Sequence, residues 1–237
     1  MSIDDIITKD NIEKYIEMLA KEYKKISKNT YLANIILVGG AAILLKYNFR
    51  KSTKDIDASI YSSKEMLDAI EKVSIDNNLP YNWINTDFEN SPSYNDKLKD
   101  ISTHYKTYDN KIEVRIIEAE YLIATKLMAG RSYKHDISDI TGILWEHKKN
   151  GNEIKKENII KAVEYLYNSW DSLSNDSKEL FDYIFKNNDF EKLYYESIKN
   201  EENTRIKISE FNNKYPNILT PGNFKDVLKN IEEKQNL

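Results

Sequence analysis

The chain of 237 residues is long enough for one large domain or two small ones, and 40% of it is hydrophobic against 31% charged, enough for a real core. Its net charge of -4, with acids and bases intermixed, excludes a global electrostatic pull on nucleic acid, so such a partner would need a local basic patch. The absence of cysteine excludes disulfides, thiolate metal sites and cysteine nucleophiles.

The first ten residues, MSIDDIITKD, are acidic and lack the apolar stretch of a signal peptide. The longest apolar run, Ile35 to Leu45, falls short of the roughly 20 residues a membrane span needs. A cytoplasmic protein with no membrane partner is the expectation.

Ile12, Ile16, Leu19, Tyr23 and Ile26 recur at helical spacing, which predicts a helix over 10–27 with Asp10 or Asn11 as its cap. Residues 33–38, ANIILV, read as a buried strand, followed by Gly39-Gly40 and a short helix, AAILLKY. KDIDASIY alternates polar and apolar and predicts a half-buried strand. Ser62 and Ser63 then lead a helix with Met66, Leu67, Ile70 and Val73 on one face. Residues 80–100 are rich in Asn, Asp, Ser and Pro and read as a loop, with a short strand near Trp83. STHYKTYDNKIEVRIIE predicts a hairpin turning at Asp109-Asn110. From Ala119 the pattern turns helical: AEYLIATKLMAGR, then a helix ending at Gly151, then helices over 155–170, 175–187, 188–200 and 223–235. The expected organisation is α+β: an N-terminal part, 1–118, with a mixed sheet flanked by helices, and a helical part, 119–237.

Two features carry chemistry. A glycine pair between a strand and a helix lets a ligand approach the main chain, and the helix start presents free amides at the positive end of its dipole, which suits phosphate. The plainer reading is a tight turn. Asp55 and Asp57 stand two apart in a predicted strand, so both carboxylates project from one face about 7 Å apart while Ile56, Ala58 and Ile60 face the core. Neighbouring anions repel, and a divalent cation bound by both relieves the repulsion. Glu113, on the polar face of KIEVRII, would complete a metal cluster if its strand paired beside that of the aspartates. An exposed strand edge is the alternative for all three acids.

Gly39-Gly40 followed by Lys51-Ser52-Thr53-Lys54-Asp55-Ile56-Asp57 resembles the nucleotidyltransferase signature of the DNA polymerase β superfamily, and within it the group of AbiEii-type abortive-infection toxins. That group's first motif carries arginine where Lys51 stands, with Arg50 adjacent here. Lys126, Arg131, Lys134, Asp136 and Asp139 match its later motifs, so the resemblance spans roughly residues 33 to 145. It implies a nucleoside triphosphate with its phosphates at Gly39-Gly40, Mg²⁺ or Mn²⁺ held by Asp55, Asp57 and Glu113, and phosphate contacts from Ser52 or Thr53, Lys126 and Arg131. It also places Lys134, Asp136 and Asp139 in the nucleotide site. An acceptor hydroxyl, on tRNA, a protein or a small molecule, would take the nucleotide, and a separate antitoxin would be a partner.

These residues have plainer readings too. Lys126 snorkels to water, Arg131 caps a helix, and Asp136 and Asp139 pair with Arg131 or Lys134. Two other functions stay open: a catalytically inactive regulatory or antitoxin module on the same fold, and a small-molecule nucleotidyltransferase of the antibiotic-modifying kind. The three histidines show no metal spacing.

Overall fold

A computed structural model of the chain describes residues 7–28, 31–60, 63–131 and 135–219, together with Asn223 and Val227. The fold is α+β. Its centre is a five-stranded mixed sheet built from β2 (Ala33–Leu37), β4 (Ile56–Ile60), β5 (Ile84–Asn85), β6 (Ser102–Tyr108) and β7 (Ile112–Ile117), in the order β5-β4-β2-β7-β6. β2 runs antiparallel to β4 and parallel to β7, with Leu37 level with both Ala58 and Ile116. A separate two-stranded ribbon pairs β1 (Ile7–Thr8) with β3 (Ser52–Thr53).

Helix α1 (Lys9–Ile26) begins and ends one residue earlier than expected, and neither Asp10 nor Asn11 is its N-cap. Thr8 is the N-cap, and Asn11 turns back to accept the Thr8 amide at 2.8 Å. α1 packs on α3 (Lys64–Asn77), which Ser63 caps by accepting the Met66 amide at 3.3 Å. The β6–β7 hairpin turns where expected. Asp109 and Asn110 both take left-handed backbone, and the Lys111 amide donates to the Tyr108 carbonyl at 2.9 Å.

After β7 the chain is helical among the described residues: α4 (Ala119–Ala129), α5 (Asp136–Lys149), α6 (Lys156–Tyr167), α7 (Asn175–Asn187) and α8 (Phe190–Lys214). The last is much longer than the helix expected over 188–200, because Ser197 and Glu201 continue the buried stripe of Phe190, Leu193 and Tyr194. The helix expected over 223–235 lies almost wholly outside the described residues. α4 is buried nearly all round, Ala119 and Leu122 through Leu127 alike, since it packs against α5, α6 and α7. One hydrophobic core runs without a break from the sheet into these helices. No described helix is long and apolar enough to cross a membrane.

Candidate nucleotide site

The C-terminal end of β2 opens directly into α2 (Gly39–Lys46), and this is where the glycine pair earns its place. Gly39 has φ +55°, and a Cβ there would stand 3.2 Å from Asp57 Oδ2. Gly40 is closer packed still: a Cβ would fall 2.7 Å from the Thr53 hydroxyl and 2.9 Å from the Arg50 guanidinium. Only glycine combines the left-handed backbone with this approach. The start of α2 carries no side-chain cap, and its first two residues, Gly39 and Gly40, line the cavity at the positive end of the helix dipole.

Asp57 lies in β4, held level with that turn by the bond from the Val38 amide to the Asp57 carbonyl, 3.1 Å. Asp55 sits in the bend just before the strand. Ile56, Ala58 and Ile60 are buried on the opposite face, as their alternation predicts, so both carboxylates are left to line the cavity. β5 brings Asn85 level with Asp57, and the Asn85 amide lies 3.5 Å from Asp55 Oδ2.

The facing wall is a buried charge cluster. Lys126, in the last turn of α4, donates to Asp136 at 2.8 Å and lies 2.7 Å from Asp139. Arg50 clamps both oxygens of Asp139 at 2.5 and 2.7 Å, while its Nε donates to the Ser52 carbonyl at 3.1 Å. Arg131 donates to Asp136 at 3.0 Å. Burial pushes the two carboxyls up. Arg50 and Lys126 at Asp139, and Lys126 and Arg131 at Asp136, outweigh it and hold both below the ordinary carboxylate range. Burial likewise pulls the Lys126 ammonium down, but Asp139 and Asp136 more than offset this and raise it. The pairing of Asp136 with Arg131 is the plain alternative raised by the sequence, yet it does not remove these groups from the cavity: Lys126, Arg131 and Asp136 all line it.

The cavity between these walls has a volume of about 520 Å³. A 3-10 turn, Asp87–Asn90, forms one side, tied to β4 by the bond from Ser59 to Glu89 at 2.8 Å. Glu201 and Arg205, one turn apart on α8, form another. Sequence reasoning missed both. Glu201 carries a signal in retrospect, since it falls on the apolar stripe of its helix and is buried there.

The remaining expected residues are placed as follows. Ser52 and Thr53 form β3 and line the cavity, with Thr53 buried against Gly40. Arg50, not Lys51, reaches the cluster, and Lys51 is exposed. Lys134 lies outside the described residues. Glu113 is not brought to the cavity. β7 pairs with β2 and β6 rather than with β4, and Glu113 stands opposite Asn34, toward the end of β2 remote from Gly39. There it pairs with Arg115 at 3.0 Å.

Among the described residues no three His, Asp or Glu side chains stand together as a metal-binding group. Two carboxylates beside a helix N-terminus do suit a hard cation such as Mg²⁺, which binds through one or two carboxylates and completes its shell with phosphate oxygens and water. Asp55 and Asp57 would hold it.

No curated protein and no solved structure matches the chain. A family model described as a nucleotidyltransferase of unknown function matches residues 14–215, a span that takes in both walls of the cavity and the whole of α8. The chain therefore belongs to that family, DUF6036.

Proposed function

We propose that the protein is a metal-dependent nucleotidyltransferase that moves a nucleoside monophosphate from a nucleoside triphosphate to an acceptor hydroxyl and releases pyrophosphate. One observation carries this: Asp55 and Asp57, the amide end of α2, and the cations Lys126 and Arg131 all line one cavity. The acceptor oxygen forms a bond to the α-phosphorus as the bond from that phosphorus to the β-phosphate bridge breaks. The charge that develops on the phosphate oxygens is met by the α2 amides and by the cationic wall, groups already fixed before the reaction. A bound Mg²⁺ or Mn²⁺ supplies further neutralisation and lowers the pKa of the acceptor hydroxyl. The Gly39-Gly40 turn admits the phosphates, and Ser52 and Thr53 offer hydroxyl contacts to them.

An acceptor on tRNA or on a protein, and the role of a toxin held by a separate antitoxin, extend this proposal on the strength of the AbiEii-type resemblance alone. A second reading, a regulatory module that binds nucleotide without turning it over, is favoured by the position of Glu113, which leaves two carboxylates where three were expected.

The test is calorimetric titration of each of the four nucleoside triphosphates, with Mg²⁺, into wild type and into Asp55→Ala/Asp57→Ala. Metal-dependent binding lost in the double variant is expected. A folded wild type that binds none of the four sinks the proposal, and binding without transfer to any hydroxyl in a labelled-nucleotide assay selects the regulatory reading.

A further inference from the structure

We infer that Glu201 is a positioning residue: it caps α5 from α8 and so sets the place of the buried aspartates that hold the cationic wall. This rests on the nucleotidyltransferase reading only for its effect on ligand binding, not for the cap itself.

Among the described residues, α5 has no local side-chain cap. Its N-cap, His135, makes no side-chain bond to the helix amides. The helix start is also buried, with Asp136, Ser138 and Asp139 all within its first turn or so. Such amides need partners. Glu201 supplies one from 63 residues away. Its Oε1 accepts the Ser138 amide at 3.0 Å. Its Oε2 accepts the Ser138 hydroxyl at 2.7 Å and sits 2.9 Å from His135 Nδ1. A carboxylate only 4% exposed would be costly without such partners, and here it also lies at the positive end of the α5 dipole. Ser138 stands between Asp136 and Asp139 in sequence, so fixing its backbone fixes both. Those two then fix Lys126, Arg50 and Arg131 by the distances given above. The chain of contacts leads from α8 to the wall that faces the phosphates, and Glu201 itself lines the same cavity.

A purely structural role would lower stability and leave the affinity of the folded protein alone. A positioning role weakens ligand binding in protein that remains folded. The experiment compares wild type with Glu201→Ala and Glu201→Gln by two measurements on the full chain. The first is amide hydrogen exchange at Ser138 and Asp139. The second is calorimetric affinity for Mg²⁺ with each nucleoside triphosphate, at a temperature where circular dichroism shows the variant folded. Exchange in the first turn of α5 should rise at least tenfold in Glu201→Ala, and triphosphate affinity should fall at least tenfold. Glu201→Gln keeps an acceptor for the Ser138 amide but loses the charge, so it should fall between the two. It carries both measurements if the alanine variant does not fold. Unchanged exchange overturns the cap. Faster exchange with affinity within twofold of wild type overturns the positioning role. If wild type binds no triphosphate, the transferase reading fails, and the exchange measurement still decides the cap.

Discussion

The two walls of the cavity are built in opposite ways. One is local: Gly39, Gly40, Asp55 and Asp57 lie within 19 consecutive residues, and one strand–turn–helix followed by one returning strand brings them together. Its carboxylates are partly exposed and line the cavity. The other is assembled over distance: Arg50 meets Asp139 across 89 residues, and Glu201 meets Ser138 across 63. Its charges are already paired, and all but Arg131 are largely buried. The first wall suits contact with a ligand in the cavity. The second suits a scaffold that must not move when charge arrives.

Substitutions should separate the two. The largest expected effect is on the exposed wall: Asp57→Asn should reduce nucleotidyl transfer by about 10³-fold or more, equivalent to about 4 kcal/mol of barrier. Its effect on stability should stay under about 1 kcal/mol. Denaturant unfolding alongside a labelled-transfer assay checks both. Lys126→Met should do the reverse and cost about 3 kcal/mol of stability, because it leaves two buried carboxylates short of a partner. If that variant unfolds at the wild-type denaturant midpoint, the wall is not the paired scaffold described.

Next in size is Gly40→Ala. Its Cβ would fall 2.7 Å from the Thr53 hydroxyl, so the neighbours must shift at a cost of about 1–3 kcal/mol. Thermal melting reads this directly, and weaker triphosphate binding should accompany it.

Acid should act on the buried wall. Asp136 and Asp139 have lowered folded-state pKa values, so their stability is present above the unfolded carboxylate value of about 3.9 and is lost as pH falls through the folded values. Lys126 is raised, so its share is full below about 10.4 and is lost as pH rises through its folded value. A melting temperature followed against pH should drop steeply below about pH 4. The Lys126→Met variant should show a flatter acid limb. The smallest effect belongs to Glu113→Gln, which should leave metal-dependent triphosphate binding within twofold of wild type. A large loss would return Glu113 to the site.

The sequence made the exposed wall legible and hid most of the other. Alternation placed Ile56, Ala58 and Ile60 inside, and thereby Asp55 and Asp57 outside, because a strand gives each residue a face by parity alone. Parity also placed Glu113 on a polar face, but strand order is a long-range property. With β2 between β4 and β7, the right face came with the wrong end of the sheet. Lys126 and Asp139 were found only through a resemblance, since periodicity gives no reason for a lysine inside an apolar helix. Glu201 was not found at all. A glutamate at a stripe position looks like the end of the stripe until the helix opposite is known to lack a cap.

Phe49 gives the loop that carries Arg50 a further meaning. Its ring fills the space over Gly142, where a Cβ would stand 2.6 Å away, and packs against Tyr194 at 5.4 Å between centroids. Tyr194 in turn donates to the Phe49 carbonyl at 3.0 Å. An N-terminal loop is thus clasped by α5 and by α8, which emerges from the ribosome last among the described helices. At about 5–20 residues per second, the stretch from Arg50 to Glu201 takes on the order of ten seconds to synthesise. Throughout that interval the chain holds its aspartates but not the cap on the wall they face, so the cavity takes its full shape only once Glu201 has been made.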